Sequence, residues 1–187
     1  MLRRGAVIVS PSDILNFWFD EAGAGKWFQR SDAFDAQIRQ RFEETSLSLA
    51  TDAQGWDENA ETSLALLIAL DQFPRNMYRG TKAAFAFDDK ALGYAQAMAD
   101  KGWDLKIDQS RRAFVYMPFM HAEDMAAQNE CVRLMDMRLN NDNNLHHAKE
   151  HRKLIERFGR FPHRNEVLGR KSTAEELAFL KSGGYVP

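Results

Sequence analysis

The segment Leu64-Ala65-Leu66-Leu67-Ile68-Ala69-Leu70 is apolar on every side. As a helix it has no face to offer water, so it belongs at the centre of a fold, with other helices packed around it. It falls far short of the ~20 residues that a membrane span requires. The rest of the chain must therefore supply amphipathic helices that enclose it.

It does so by a repeated pattern. Ser10-Pro11-Ser12-Asp13 reads as a helix start, with Ser as N-cap and Pro at the first helical position. Ile14, Leu15, Trp18 and Phe19 follow at helical spacing, before a Gly/Ala turn over 21–26. A second helix is expected over about 32–50. The central apolar helix ends at Asp71, ahead of a Phe-Pro loop. Asp88-Asp89 opens a fourth helix, which stops at Gly102. A fifth is expected over 109–117, where Pro118 either kinks it or separates it from a long helix running to about Leu139. A polar turn over 140–144 leads to a helix over 145–158. The last begins at Ser172-Thr173 and stops at Gly183-Gly184.

No segment alternates with the period of two that a strand requires. The expectation is a single all-α domain over 1–187, with 1–10 as an N-terminal extension. Seven or eight helices would stack as antiparallel pairs through short loops. A hydrophobic fraction of 44%, with 13 Phe and 4 Trp, is ample for a core. A net charge of −2 argues against a general nucleic-acid binder. The single cysteine, Cys131, excludes an internal disulfide and fits a reducing compartment. The basic residues of Leu2-Arg3-Arg4 precede an apolar run too short for a signal peptide. The chain is expected to be cytoplasmic, with neither nucleic acid nor membrane as partner.

Two segments echo each other. Phe73-Pro74-Arg75-Asn76-Met77-Tyr78-Arg79-Gly80 and Phe161-Pro162-His163-Arg164-Asn165-Glu166-Val167-Leu168-Gly169 both carry Phe-Pro, then Arg-Asn, then three residues, then Gly. Breakers at both ends of such a segment hold its polar groups in place beside a helix end. Arg75 and Arg79 either close a helix end against the carboxylate of Asp71 or present a guanidinium to an anion. Arg160, His163, Arg164 and Asn165 form either a solvated basic loop or an anion grip.

A third constellation lies between them. His121, Asp124, Gln128 and Cys131 fall on one helical stripe, next to Tyr116 and Glu123. They can be a buried hydrogen-bond network, or an oriented base with His121 steered by Asp124 or Glu123. His147 and His151 are one helical turn apart, but Ala148 stands where a zincin pattern needs Glu, and no third ligand is evident. No metal is expected there, and His151 falls on the apolar face of its helix. P-loop, dinucleotide-binding and nucleophile-elbow motifs are absent, and no cofactor is implied.

Ile14-Leu15-Asn16-Phe17-Trp18-Phe19, Leu70-Asp71-Gln72-Phe73-Pro74-Arg75-Asn76, Tyr116-Met117-Pro118-Phe119-Met120-His121-Ala122-Glu123-Asp124 and Arg157-Phe158-Gly159-Arg160-Phe161-Pro162-His163-Arg164-Asn165 resemble an uncharacterised bacterial family. That family is catalogued as domain of unknown function nine-two-four. The resemblance runs from Ser12 to about Leu180. It implies an all-helical fold similar to tetratricopeptide arrays and no established activity. It also favours one shared pocket for the three polar motifs.

The leading expectation is a binding protein. Its cleft would be lined by Arg75, Asn76, Arg79, Tyr116, Gln128, Arg160, His163, Arg164 and Asn165, and would hold a small anionic or zwitterionic molecule or a peptide terminus. The alternatives are a hydrolase or transferase with His121 as base, assisted by Glu123 and Asp124, and a scaffold for a protein partner.

Overall fold

The computed structural model describes residues 9–186. Most of the expected N-terminal extension, residues 1–8, lies outside the described residues. Among those described, the chain is all helical and no strand occurs. No helix among them is long and apolar enough to cross a membrane.

The apolar segment is central, as its composition requires. Helix α4 (Ala60–Leu67) runs through a wide π-helical turn (Ile68–Gln72) into α5 (Phe73–Met77), forming one continuous rod. Every side chain from Leu64 to Leu70 is fully buried. Helix α1 (Pro11–Leu15), which also widens into a π segment (Asn16–Ala22), packs on α4. After the short α2 (Ala24–Trp27), α3 (Asp32–Thr51) packs along α5. Helices α6 (Asp88–Asp100) and α7 (Gln109–His121) cover the other side of the rod. Helix α8 (Met125–Arg138) lies on α7, and α9 (Asp142–Phe158) lies on α8. A final helix, α10 (Ala174–Lys181), closes a smaller cluster built on Leu154, Ile155 and Phe161.

The core is strongly aromatic. Phe17, Trp18, Phe34, Phe42, Phe73 and Phe114 interlock in stacked and edge-on pairs. Each such side chain contributes about 1.5–3 kcal/mol by leaving water. The starts are capped as the sequence suggests. Ser10 and Asp13 form a capping box at α1, and Thr173 and Glu176 form another at α10.

The turn expected over 21–26 is instead largely helical, in the π segment to Ala22 and in α2 from Ala24, and three further boundaries differ, each for a local reason. The Phe-Pro step at Pro74 does not end the central helix. A proline lacks the N–H of the helical ladder and collides with the carbonyl four residues back. Here the wide turn absorbs both problems, because Phe73 N–H already reaches back five residues to the Ile68 carbonyl. Pro118 neither divides its helix nor fuses it to the next: α7 runs through it and stops at His121. The polar run expected as a turn supplies instead an N-cap, Asn141, whose side chain accepts from Asn144 N–H, so α9 begins earlier.

Candidate functional site

The wide turn places Asp71 and Gln72 on the buried side of the rod, opposite the end of α7. Asp71 is 1% exposed. Its Oδ1 lies 2.8 Å from His121 Nδ1 and 3.3 Å from an Arg75 nitrogen. Its Oδ2 accepts from the Gln72 amide at 2.6 Å. Burial alone would raise this carboxyl. The charge of Arg75 and the contact with His121 outweigh it and hold Asp71 down at about 2. An ionised carboxylate only accepts, so the imidazole proton sits on Nδ1. Nε2 keeps its lone pair and makes no hydrogen bond to any described residue. Burial, then the charge of Arg75, push the histidine below its ordinary value, against the opposing pull of Asp71.

The two echoing motifs meet behind this pair. Arg75 forks onto Asp88, with both nitrogens 3.0 Å from its two oxygens. Arg164 approaches the same carboxylate at 3.5 Å and donates to the His121 carbonyl at 3.1 Å. Its guanidinium lies between the rings of Phe85 and Phe161. Burial, with Arg75 nearby, lowers it to about 10. The asparagines also play matching parts. The Asn76 amide donates to Asp35, which Arg79 grips with two nitrogens. The Asn165 amide donates to Glu176, which Arg160 grips likewise. Both motifs end on a glycine in the left-handed region, Gly80 at φ +73° and Gly169 at φ +67°.

A cleft of about 510 Å³ opens above the His121–Asp71 pair. One wall is α2, with Trp27 and Phe28. A second is the rod, with Gln72, Arg75, Asn76 and Arg79. The floor is Met117, Met120 and His121. The start of α9 supplies Asn143, Asn144, His147 and His151, and the C-terminal segment adds Tyr185 and Val186. His151 is buried, as its place on the apolar face implied, and its Nδ1 donates to the His147 carbonyl at 2.8 Å. Its ring centre is 6.4 Å from that of His121. Burial pushes it down to about 3, so it is neutral at pH 7. The Tyr185 hydroxyl meets His147 Nδ1 at 2.8 Å. No group of three or more metal-ligating side chains occurs among the described residues.

Of the residues singled out in the sequence, Arg75, Asn76, Arg79, His121, His147 and His151 line this cleft. The others serve the scaffold. Glu123 and Asp124 do not orient His121: Glu123 takes Arg170 and the Phe161 N–H, and Asp124 caps α8 through Ala127 N–H. Tyr116 is fully buried and donates to Asp104. Gln128 is fully buried too, and its amide donates to the Phe119, Met120 and Ala122 carbonyls that end α7. Arg160, Arg164 and Asn165 support the site from behind, and the His163 ring packs tilted against Phe161. The orienting carboxylate is Asp71. Asp88, which joins the two motifs, reads in the sequence only as a helix-opening acid.

Residues 14–184 match the model of a family described as a bacterial protein of unknown function, DUF924. The chain belongs to this family. The DUF924 chain is also similar to a solved structure of a protein of unknown function from Agrobacterium tumefaciens. The two are 44% identical with a TM-score of 0.88, over 92% of this chain and 97% of that one. No curated protein matches.

Proposed function

We propose that this DUF924 protein is a hydrolase or transferase in which His121 acts as general base and Asp71 orients it. The observation that carries the reading is the buried Asp71–His121 pair, whose imidazole lines a cleft of about 510 Å³ with Nε2 unpaired. A neutral imidazole fixed in one tautomer by a carboxylate is poised to take a proton. Asp71 then steadies the imidazolium until the proton passes to the leaving group. No Ser, Thr or Cys lines the cleft among the described residues. The one hydroxyl lining the cleft among the described residues, that of Tyr185, is already bonded to His147, so the attacking oxygen comes from water or from a second substrate.

The anion-binding reading draws less support from the same geometry. Arg75 and Arg79 both reach the cleft, yet each already holds a carboxylate with two nitrogens. A binder without turnover remains the second reading, because the cleft has the size and mixed lining of a small-molecule site.

The test compares wild type with His121→Gln against a panel of p-nitrophenyl esters and phosphates. The expected outcome is turnover that falls by roughly 10²–10⁴-fold in a folded variant. Turnover unchanged by the substitution removes His121 from the chemistry. A bound compound that is never turned over favours the binder.

A further inference from the structure

We propose that the cleft takes an uncharged amphiphile, with its polar head on His121 and His151 and its apolar body on Trp27, Phe28, Met117 and Met120. This names the substrate class of the site above and rests on that reading.

The first argument is charge. The acidic and basic side chains lining the cleft, among the described residues, are Arg75, Arg79 and the histidines; no Asp, Glu or Lys does so. Asp88 fills the fork of Arg75 and Asp35 fills that of Arg79. Asp71 sits behind the lining and is already bonded to His121, Arg75 and Gln72. An anion entering here finds no free guanidinium, and a cation finds no free carboxylate. Either would leave water without a counter-charge, which is costly.

The second argument is hydrogen-bond polarity. His121 spends its Nδ1 proton on Asp71, and His151 spends its own on the His147 carbonyl. Both rings therefore offer an Nε2 lone pair, across ring centres 6.4 Å apart. Two acceptors facing one space call for a donor: a hydroxyl, an amide N–H₂, or a water carried in with an ester. Burial keeps His151 from charging and reversing this polarity.

The third argument is the apolar wall. Phe28 is 72% exposed at the rim, edge-on to Trp27 at 6.3 Å. Met117 and Met120 continue the apolar surface inward. Unbranched methionine side chains adapt to a chain or ring of varying shape. An aromatic left in water beside a cleft gains by being covered, and an apolar body reaching out of the cleft covers it.

The test holds the tail constant and changes the head. Octanamide, octanoate and octylamine are titrated into the protein at pH 7.5 by calorimetry, with thermal shift as a second readout. Octanamide is expected to bind at least about tenfold more tightly than either charged analogue, because only a charged head pays for unpartnered desolvation. Phe28→Ala, a change at an exposed position, is expected to weaken octanamide several-fold and leave the unliganded melting temperature unchanged. Octanoate or octylamine binding as tightly as octanamide overturns the proposal, and so does octanamide that does not bind. Turnover of p-nitrophenyl octanoate separates the two readings. Selective octanamide binding without turnover sinks the general-base reading alone. Turnover lost in His121→Gln, with no selectivity among the heads, sinks the amphiphile alone.

Discussion

His121 Nδ1 and Asp71 Oδ1 lie 2.8 Å apart across 50 residues of sequence. One is the last residue of α7 and the other lies in the wide turn of the central rod. The contact therefore ties the end of one helix to a special turn in another, and both ends are held by backbone geometry.

Asp71→Asn is expected to reduce turnover by roughly 10²–10⁴-fold, because an amide N–H₂ facing Nδ1 drives the ring proton to Nε2. Asp71→Ala is expected to cost about 3–5 kcal/mol of stability, since it strips Arg75, His121 and Gln72 of a shared buried acceptor. Urea unfolding and steady-state rates on both variants separate the two effects. An Asn variant with wild-type rates removes Asp71 from the mechanism.

Stability is expected to fall on mild acidification. His151 is held down to about 3 in the folded protein, against about 6.5 unfolded. A buried neutral histidine favours the folded state fully above about 6.5, and that advantage drains away as the pH falls toward 3. The slope from one such group reaches about 1.4 kcal/mol per pH unit. Asp71, held down at about 2, adds its loss only below about 3.9, the unfolded value. Urea midpoints from pH 7 to 4.5 check this, and His151→Gln should flatten the profile by close to one proton. A wild-type midpoint that stays level to pH 5 contradicts it.

Two alanine substitutions should move stability in opposite directions. Gly169 sits at φ +67° with open space where a Cβ would go, so Gly169→Ala meets backbone strain alone. The expected cost is about 1–2 kcal/mol. Gly93 lies exposed inside α6 with nothing near its Cβ position and no left-handed backbone. Gly93→Ala should stabilise by about 0.5–1 kcal/mol through helix propensity. Denaturant unfolding of the two variants should give shifts of opposite sign.

Asp88 holds Arg75 and approaches Arg164. Asp88→Asn is expected to cost about 1.5–3 kcal/mol, the scale of a hydrogen bond to a charged group, in a pair that is only partly buried. Adding Arg164→Met should restore part of that loss, because one of the two stranded charges is gone. A double-mutant cycle with strictly additive effects would show that Asp88 and Arg164 do not interact.

The all-helical class and the central apolar helix were legible in the sequence, because periodicity and an apolar run of that length report burial directly. The convergence of the three polar motifs was expected on their shared identity, and their backbone carbonyls and arginines do meet. Which carboxylate serves which base was not legible. Glu123 and Asp124 stand two and three residues from His121, but α7 stops at His121 and the chain turns away at once. Asp71 reaches the ring only because a proline-adapted turn faces it. Asp88 looked like a helix-opening acid because that role needs only its neighbours, whereas its arginines come from two distant segments. Gln128 and Tyr116 looked like site residues because a polar group on an apolar stripe has the same sequence signature whether it binds a ligand or ends a helix.

The cleft brings Trp27 together with Tyr185 across most of the described sequence. Its walls cannot close while the chain is being made until Tyr185 has left the ribosome, long after the rod and its aromatic surround are complete. A single cut before Tyr185 by a protease would spare most of the core while opening the site.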